Sequence, residues 1–190
     1  MAAGPGGVRA PAQNVSPEQM IVLGIDPGTA STGYGVVRSE SSRLRALGEG
    51  VIATRASLPL EWRLAEIHRR VGELLDHYQP QALALEEIYF GANARTAFAV
   101  GQARGVVLLA AGQRQVPSRS YTPQQVKAAV CGHGGADKAQ VARMVARLLG
   151  LGGPPERDHA ADALAVAICE LNRAPLQRAL EASSTASVRR

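Results

Sequence analysis

Two short apolar runs in this chain each end on a carboxylate, and that pattern constrains the fold more than any other. Ile21-Val22-Leu23-Gly24-Ile25 runs into Asp26, followed by Pro27-Gly28. Ala82-Leu83-Ala84-Leu85 runs into Glu86-Glu87. Short apolar runs closed by turn residues read as buried strands. An acid at the end of such a strand sits at the edge of the sheet, where open α/β sheets place their ligands. Burying it is costly unless something pairs with it. A metal ion is one answer and an Arg partner is the plainer one. Glu86 and Glu87 would point to opposite faces of a continuing strand, so one of the two shares a site with Asp26.

The rest of the chain fills in around these strands. Gly33 to Arg38 and Leu44 to Ala53 read as strands that form a meander with the first. Leu60 to Tyr78 has helix spacing, with Leu60, Leu64, Ile67, Val71 and Leu74 or Leu75 on one stripe, and Pro80 stops it. Asn93 to Gly112 reads as an Ala- and Gly-rich helix, and Val116 to Tyr121 as a fifth strand. Thr122-Pro123 opens one helix and Asp137 caps the next, which ends at Gly150. The last helix is expected from Asp158 to Asn172. This order implies a mixed sheet with helices packed on it. Parallel pairing of the first and fourth strands would bring Asp26 and Glu86 together.

The last helix opens with Asp158-His159-Ala160-Ala161-Asp162. His159 and Asp162, three apart, project from one face, and so do Asp158 and Asp162, four apart. Spacing alone does not choose between His159 and Asp158. Alanines at 160, 161, 163 and 165 would let this helix lie close to the sheet. Oxygen and imidazole donors gathered from two strand ends and one helix start suit Mg²⁺ or Mn²⁺. An imidazole ligand leans the site toward Mn²⁺ and must be neutral to bind.

Composition narrows the partners. The chain of 190 residues suffices for one domain with a sizeable core. Its formal charge of +5 comes almost entirely from Arg, since Lys occurs only at Lys127 and Lys138. A basic balance fits an anionic partner such as nucleic acid. Cys131 and Cys169 read as free thiols rather than a disulfide or zinc framework. No apolar run approaches the ~20 residues of a membrane span, so no membrane partner and a cytoplasmic location are expected. Residues 1–19 read as a disordered extension, 20–171 as the folded domain and 172–190 as a loose basic tail.

Several blocks, taken in order, resemble the RuvC-type Holliday junction resolvases. They are Ile21 to Thr29 with Thr32-Gly33-Tyr34-Gly35, Glu86 in its strand, and Gly101-Gln102-Ala103-Arg104-Gly105. Gln124 to Lys127, Lys138 to Val141, and Ala160 to Ala165 continue the likeness, which spans about Met20 to Leu171. The resemblance implies an RNase H-like α/β fold: a five-stranded mixed sheet with helices on both faces. It implies a homodimer that cuts two opposed strands of a four-way junction with Mg²⁺ or Mn²⁺, two ions per active site. Asp26, Glu86 and Asp162 fall on the family's catalytic acids. The fourth position, commonly Asp, is His159 here, which puts the metal preference in doubt and makes Asp158 an off-register neighbour. The resemblance also implies an aromatic wedge at Tyr89 and Phe90, a branch-migration motor and a junction-binding subunit. Asn93, Arg95, Gln102, Arg104, Lys127 and Lys138 are candidate DNA contacts, with Lys138 expected near the scissile phosphate. For each of these taken singly, a solvated surface side chain is the plain alternative.

Two other functions compete. Gly24-Ile25-Asp26-Pro27-Gly28-Thr29 also resembles the phosphate loop of the actin and sugar kinase ATPases, but those need a second, duplicated domain. A junction-binding module without catalysis would show an emptied acid set, and here the acids are present. A related RNase H-like nuclease acting on other structured nucleic acid is the third reading.

Overall fold

The computed structural model describes residues 19–41, 43–87 and 94–187, with side chains of 94–96 and 175–187 left aside. Its five strands are β1 (Gln19–Asp26), β2 (Ser31–Glu40), β3 (Arg43–Ala53), β4 (Ala82–Glu86) and β5 (Ser118–Tyr121). Its helices are α1 (Leu60–Tyr78), α2 (Ala94–Gln113), α3 (Pro123–Cys131), α4 (Lys138–Leu149) and α5 (Asp158–Ser187). The sheet order is β3-β2-β1-β4-β5. The meander β1-β2-β3 is antiparallel, while β4 and β5 add in parallel. The mixed sheet and the β1–β4 neighbourhood expected from the order of elements are both present.

Strand alternation sorts the core into two halves. Leu23, Ile25, Leu83 and Leu85 face α1 and α2, packing on Ile67, Val71, Ala103 and Val107. Val22, Ala82 and Ala84 face the other way, onto α3, α4 and α5 through Val126, Val145 and Leu164. Side chains two apart on a strand share a face. Asp26 therefore belongs with Val22, and Glu86 with Ala82 and Ala84, on the α5 side. Glu87 falls on the opposite parity.

The closest packing is where α5 crosses β1 and β2. Ala160, Ala161, Ala163, Ala165 and Ala167 are all buried there, as their small size suggested. The strands contribute as much as the helix. A Cβ on Gly24 would lie 2.0 Å from the Ala163 carbonyl oxygen, and one on Gly33 would lie 1.9 Å from that of His159. Only residues without side chains let backbone approach backbone this closely.

Two expectations need correction. The segment after Asn172 is not a loose tail at once, because α5 continues as a helix to Ser187. The Asn172 side chain donates to the Ala129 carbonyl at 3.1 Å, and Leu171 and Ala174 are buried, so packing against α3 carries the helix past the polar composition. Leu60 does not join the buried stripe of α1. It is exposed, with Leu58 and Trp62 beside it in sequence. Cys131 and Cys169 are free thiols. Among the described residues, no helix is long and apolar enough to cross a membrane.

Candidate active site

Each acid reaches the site for a local reason. β1 and β4 are paired up to Ile25–Leu85, and the next residue on each is Asp26 and Glu86. The two carboxylates thus leave adjacent parallel strands at the same level and on the same face. α5 begins against that sheet end, held close by Gly33, and presents His159 and Asp162 from its first turn. His159 Nδ1 lies 2.6 Å from Asp26 Oδ2. Asp158, the rival in spacing, points outward and is largely exposed. The face of α5 turned toward Asp26 carries His159.

Two capped helices supply the cations. In α3, Thr122 accepts from the Gln125 backbone N–H while the Gln125 side chain accepts from that of Thr122. This reciprocal capping box fixes the first turn, so Lys127 emerges toward the acids. In α4, Asp137 accepts from the Gln140 N–H at 2.7 Å, placing Lys138 at the first helical position. Lys138 Nζ sits 3.2 Å from Asp162 and 3.3 Å from Asp158. Glu86, Lys127, Lys138 and Asp162 line one cleft of about 240 Å³, floored by Pro123, Val126, Val141 and Ala165. A larger groove of about 730 Å³, with Arg43, Arg45 and Arg147 on its walls, lies at the other end of the sheet and contains none of these acids.

The electrostatics show a crowded acid set. Burial pushes the Glu86 carboxyl up to about 7, and the charges of Asp26 and Asp162 push the same way against Lys127 and Lys138. Burial also raises Asp162, with Lys138 opposing and Asp26 and Asp158 assisting. Partial burial works against the Lys138 ammonium, but Asp162 and Asp158 outweigh it and hold its pKa above the ordinary value. Among the described residues, no three His, Cys, Asp or Glu side chains are already gathered as a metal cage. Asp162 is instead paired with Lys138, and Asp26 meets the His159 ring nitrogen. The donor set nevertheless fits a divalent cation. Three carboxylates and an imidazole lie at this one end of the sheet, and burial, with the charges of Asp26 and Asp162, holds the Glu86 carboxyl above the usual carboxylate range.

The other sequence candidates divide. Tyr89, Phe90 and Asn93 lie outside the described residues, as does the side chain of Arg95. Gln102 is half-buried on α2. Lys127 and Lys138 stand in the cleft. Arg104 reaches inward. Its Nη1 donates to the Glu86 carbonyl at 2.9 Å and its Nη2 to the Ser120 hydroxyl. Burial lowers its pKa, with Glu87 opposing. No spacing signal in the sequence distinguishes this inward Arg from an outward one. The glycines that seat α5 were readable as turn or bulge signals only, because their contacts lie more than a hundred residues away.

Comparison with known proteins identifies the family. The family model of "Crossover junction endodeoxyribonuclease RuvC" matches residues 22–170. A protein of that name from Syntrophomonas wolfei is 51% identical over 166 residues, covering 87% of this chain and 96% of its own. One from Thermomicrobium roseum is 53% identical over 150 residues, covering 79% and 91%. Among solved structures, Thermus thermophilus RuvC superposes with a TM-score of 0.78 at 42% identity, over 83% of this chain and 97% of that one. The same protein in complex with a Holliday junction substrate gives 0.80, over 83% and 96%. The yeast mitochondrial resolvase Ydc2, 17% identical with a TM-score of 0.54, shares the fold. A family model spanning most of the domain, relatives near half identity over most of both chains, and acids at two strand ends and one helix start place this chain in the crossover junction endodeoxyribonuclease RuvC family.

Proposed function

We propose that this protein resolves four-way DNA junctions by paired, symmetric nicks, hydrolysing phosphodiester bonds to leave 5′-phosphate and 3′-hydroxyl ends. The observation that carries the proposal is the placement of Asp26 against His159 and of Glu86 and Asp162 in one cleft with Lys138 and Lys127, all at one end of the sheet. The Thermus thermophilus relative, 42% identical, is known in complex with a Holliday junction substrate. Two divalent cations bound to these four residues would supply an activated water and neutralise charge on the leaving oxygen. The residues' own work is to hold donors in place, keep His159 Nε2 available while Nδ1 meets Asp26, and present Lys138 to a phosphate. Mn²⁺ is the favoured ion because an imidazole stands where a carboxylate is commoner.

Lys138 and Lys127 are proposed phosphate contacts, as are Gln102, Asn93 and Arg95, and Tyr89 and Phe90 are proposed to stack on unpaired bases. Lys138→Ala is expected to slow cleavage at saturating DNA by about tenfold to hundredfold. Unchanged single-turnover rates would remove it from the reaction. A branch-migration motor, a junction-binding subunit and a cytoplasmic location complete the proposal.

A homodimer matches two nicks related by a twofold axis. Its support is the outer face of α2. Phe98 is 70% exposed and Leu109 53% exposed, and the open positions Gly105 and Gly112 fall on the same helical stripe. Phe98→Asp is expected to turn a sedimenting dimer into a monomer, and an unchanged sedimentation coefficient would reject this face.

Glu86 gives a stability test. Its carboxyl titrates near 7 in the folded protein against 4.5 in the unfolded chain, so the folded state holds the proton more tightly. Stability from this group is fully present below about pH 4.5 and is lost as pH rises through about 7. Glu86→Gln is therefore expected to raise the metal-free Tm at pH 8.5 by a few degrees, on the order of 2 kcal/mol after allowing for water at the site, while removing cleavage. A Tm that falls would contradict the unfavourable charge inferred for Glu86.

The function itself is tested by mapping cuts on a synthetic four-way junction and ligating the products. Symmetric, ligatable nicks are expected. Cutting confined to linear duplex or RNA would overturn the proposal.

A further inference from the structure

Arg104 is a half-buried guanidinium on α2 that touches the active-site strand from the face opposite the acids. Its Nη1 donates to the Glu86 backbone carbonyl at 2.9 Å, and its Nη2 donates to the Ser120 hydroxyl on β5. Both partners lie at the level where the sheet ends. Glu86 is the last residue of β4 and pairs with Tyr121, the last of β5. Glu87 N–H still donates to the Tyr121 carbonyl at 2.8 Å. On the β1 side, Asp26 is followed by Pro27, which has no N–H to offer a ladder at that level. Glu86 thus stands where the sheet's own hydrogen bonds run out, and a side chain from a helix makes up one of them.

The charge at this position also matters. The Glu86 carboxyl lies close enough to those of Asp26 and Asp162 for the like charges to repel. A strand end free to shift would relieve that repulsion by swinging the acid away from Asp26. A planar, two-pronged donor fixed to β4 and β5 at once resists such a swing. We propose that Arg104 is a positioning residue, clamping the end of β4 to β5 so that the Glu86 carboxylate is held in register with Asp26 for metal binding. This rests on the reading of Glu86 as a metal ligand. It differs from the expected phosphate contact in every measurable consequence, because a clamp acts on the rate and on the metal, whereas a phosphate contact acts on DNA affinity.

The test compares wild type with Arg104→Met, Arg104→Lys and Ser120→Ala on a synthetic four-way junction. For Arg104→Met, cleavage at saturating DNA and Mn²⁺ is expected to fall by about tenfold to hundredfold, the usual consequence of a misplaced active-site group. Junction affinity measured in Ca²⁺ should change by less than about twofold, since no phosphate contact is lost. The Mn²⁺-induced rise in Tm should shrink, a readout that needs no turnover. Arg104→Lys keeps one donor and should recover part of both effects. Ser120→Ala removes one anchor and should shift both in the same direction, by less. Weakened junction binding with a flatter salt dependence and a normal rate at saturation would overturn the clamp in favour of a phosphate contact. A normal rate and a normal Mn²⁺ response in all three variants would overturn it outright. If Arg104→Met fails to fold, Ser120→Ala decides, and wild-type behaviour there rejects the proposal. Glu86→Gln is the control: if it still cuts, the assignment of Glu86 itself fails, and that outcome is distinct from failure of the clamp.

Discussion

Asp26→Asn is expected to reduce junction cleavage by at least about a thousandfold, roughly 4 kcal/mol of transition-state stabilisation, while junction affinity stays within about threefold. The substitution keeps the size of the side chain and removes its charge. Asp26 is the group on which the site turns: it meets His159 at 2.6 Å, and its charge acts on both Glu86 and Asp162. Removing it leaves two half-buried acids and an imidazole without the carboxylate that lies beside them. Little of its side chain is open to solvent, and a carboxylate does not attract phosphate, so binding should survive. Single-turnover cleavage alongside a gel-shift titration in Ca²⁺ measures both. Continued cutting by the variant would remove Asp26 from the chemistry.

The second large effect is structural and comes from a residue with no side chain. Gly33→Ala would place a methyl group 1.9 Å from the His159 carbonyl oxygen and 2.4 Å from its carbonyl carbon. Both are backbone atoms of α5, which cannot rotate aside. Either the helix start lifts from the sheet or β2 bends, and overpacking of this kind costs about 3 kcal/mol. Lifting α5 also carries His159 away from Asp26. A Tm lower by about 6–10 °C, together with cleavage reduced by about tenfold or more, is the expected result. Wild-type stability would show that the helix does not sit against β2 as described.

Much of the site was legible in the sequence, for physical reasons. The strand-end acids stood out because an apolar run closing on a carboxylate is costly without a partner. Their convergence followed from the order of elements, which allowed parallel pairing of the first and fourth strands. The choice between Glu86 and Glu87 was also within reach of alternation. Leu83 and Leu85 take one face and Ala82 and Ala84 the other, and the smaller side chains mark where a helix comes close. The choice between Asp158 and His159 was not legible from spacing, because both lie near Asp162 on a helix, and it rested on the family resemblance. The placement of α5 on β1 and β2 turns His159 toward Asp26, while Asp158 points outward to Lys138. The length of α5 was misread because polar composition after Asn172 hid the contacts of Leu171, Asn172 and Ala174 with the core and α3. The inward contacts of Arg104 were not legible because an Arg that reaches inward to a carbonyl and one that reaches outward to phosphate look identical in sequence.

The central claim is that Asp26, Glu86, His159 and Asp162 act together as a divalent-metal site for junction cleavage. Its most direct measurement is a titration of Mn²⁺ and of Mg²⁺ against cleavage of a synthetic four-way junction, with His159→Asp run in parallel. The account expects no cutting without a divalent ion, half-maximal activity at lower Mn²⁺ than Mg²⁺, and a narrowing of that gap when His159 becomes a carboxylate. Cleavage that persists in chelator, or a metal preference untouched by the change at His159, would contradict it.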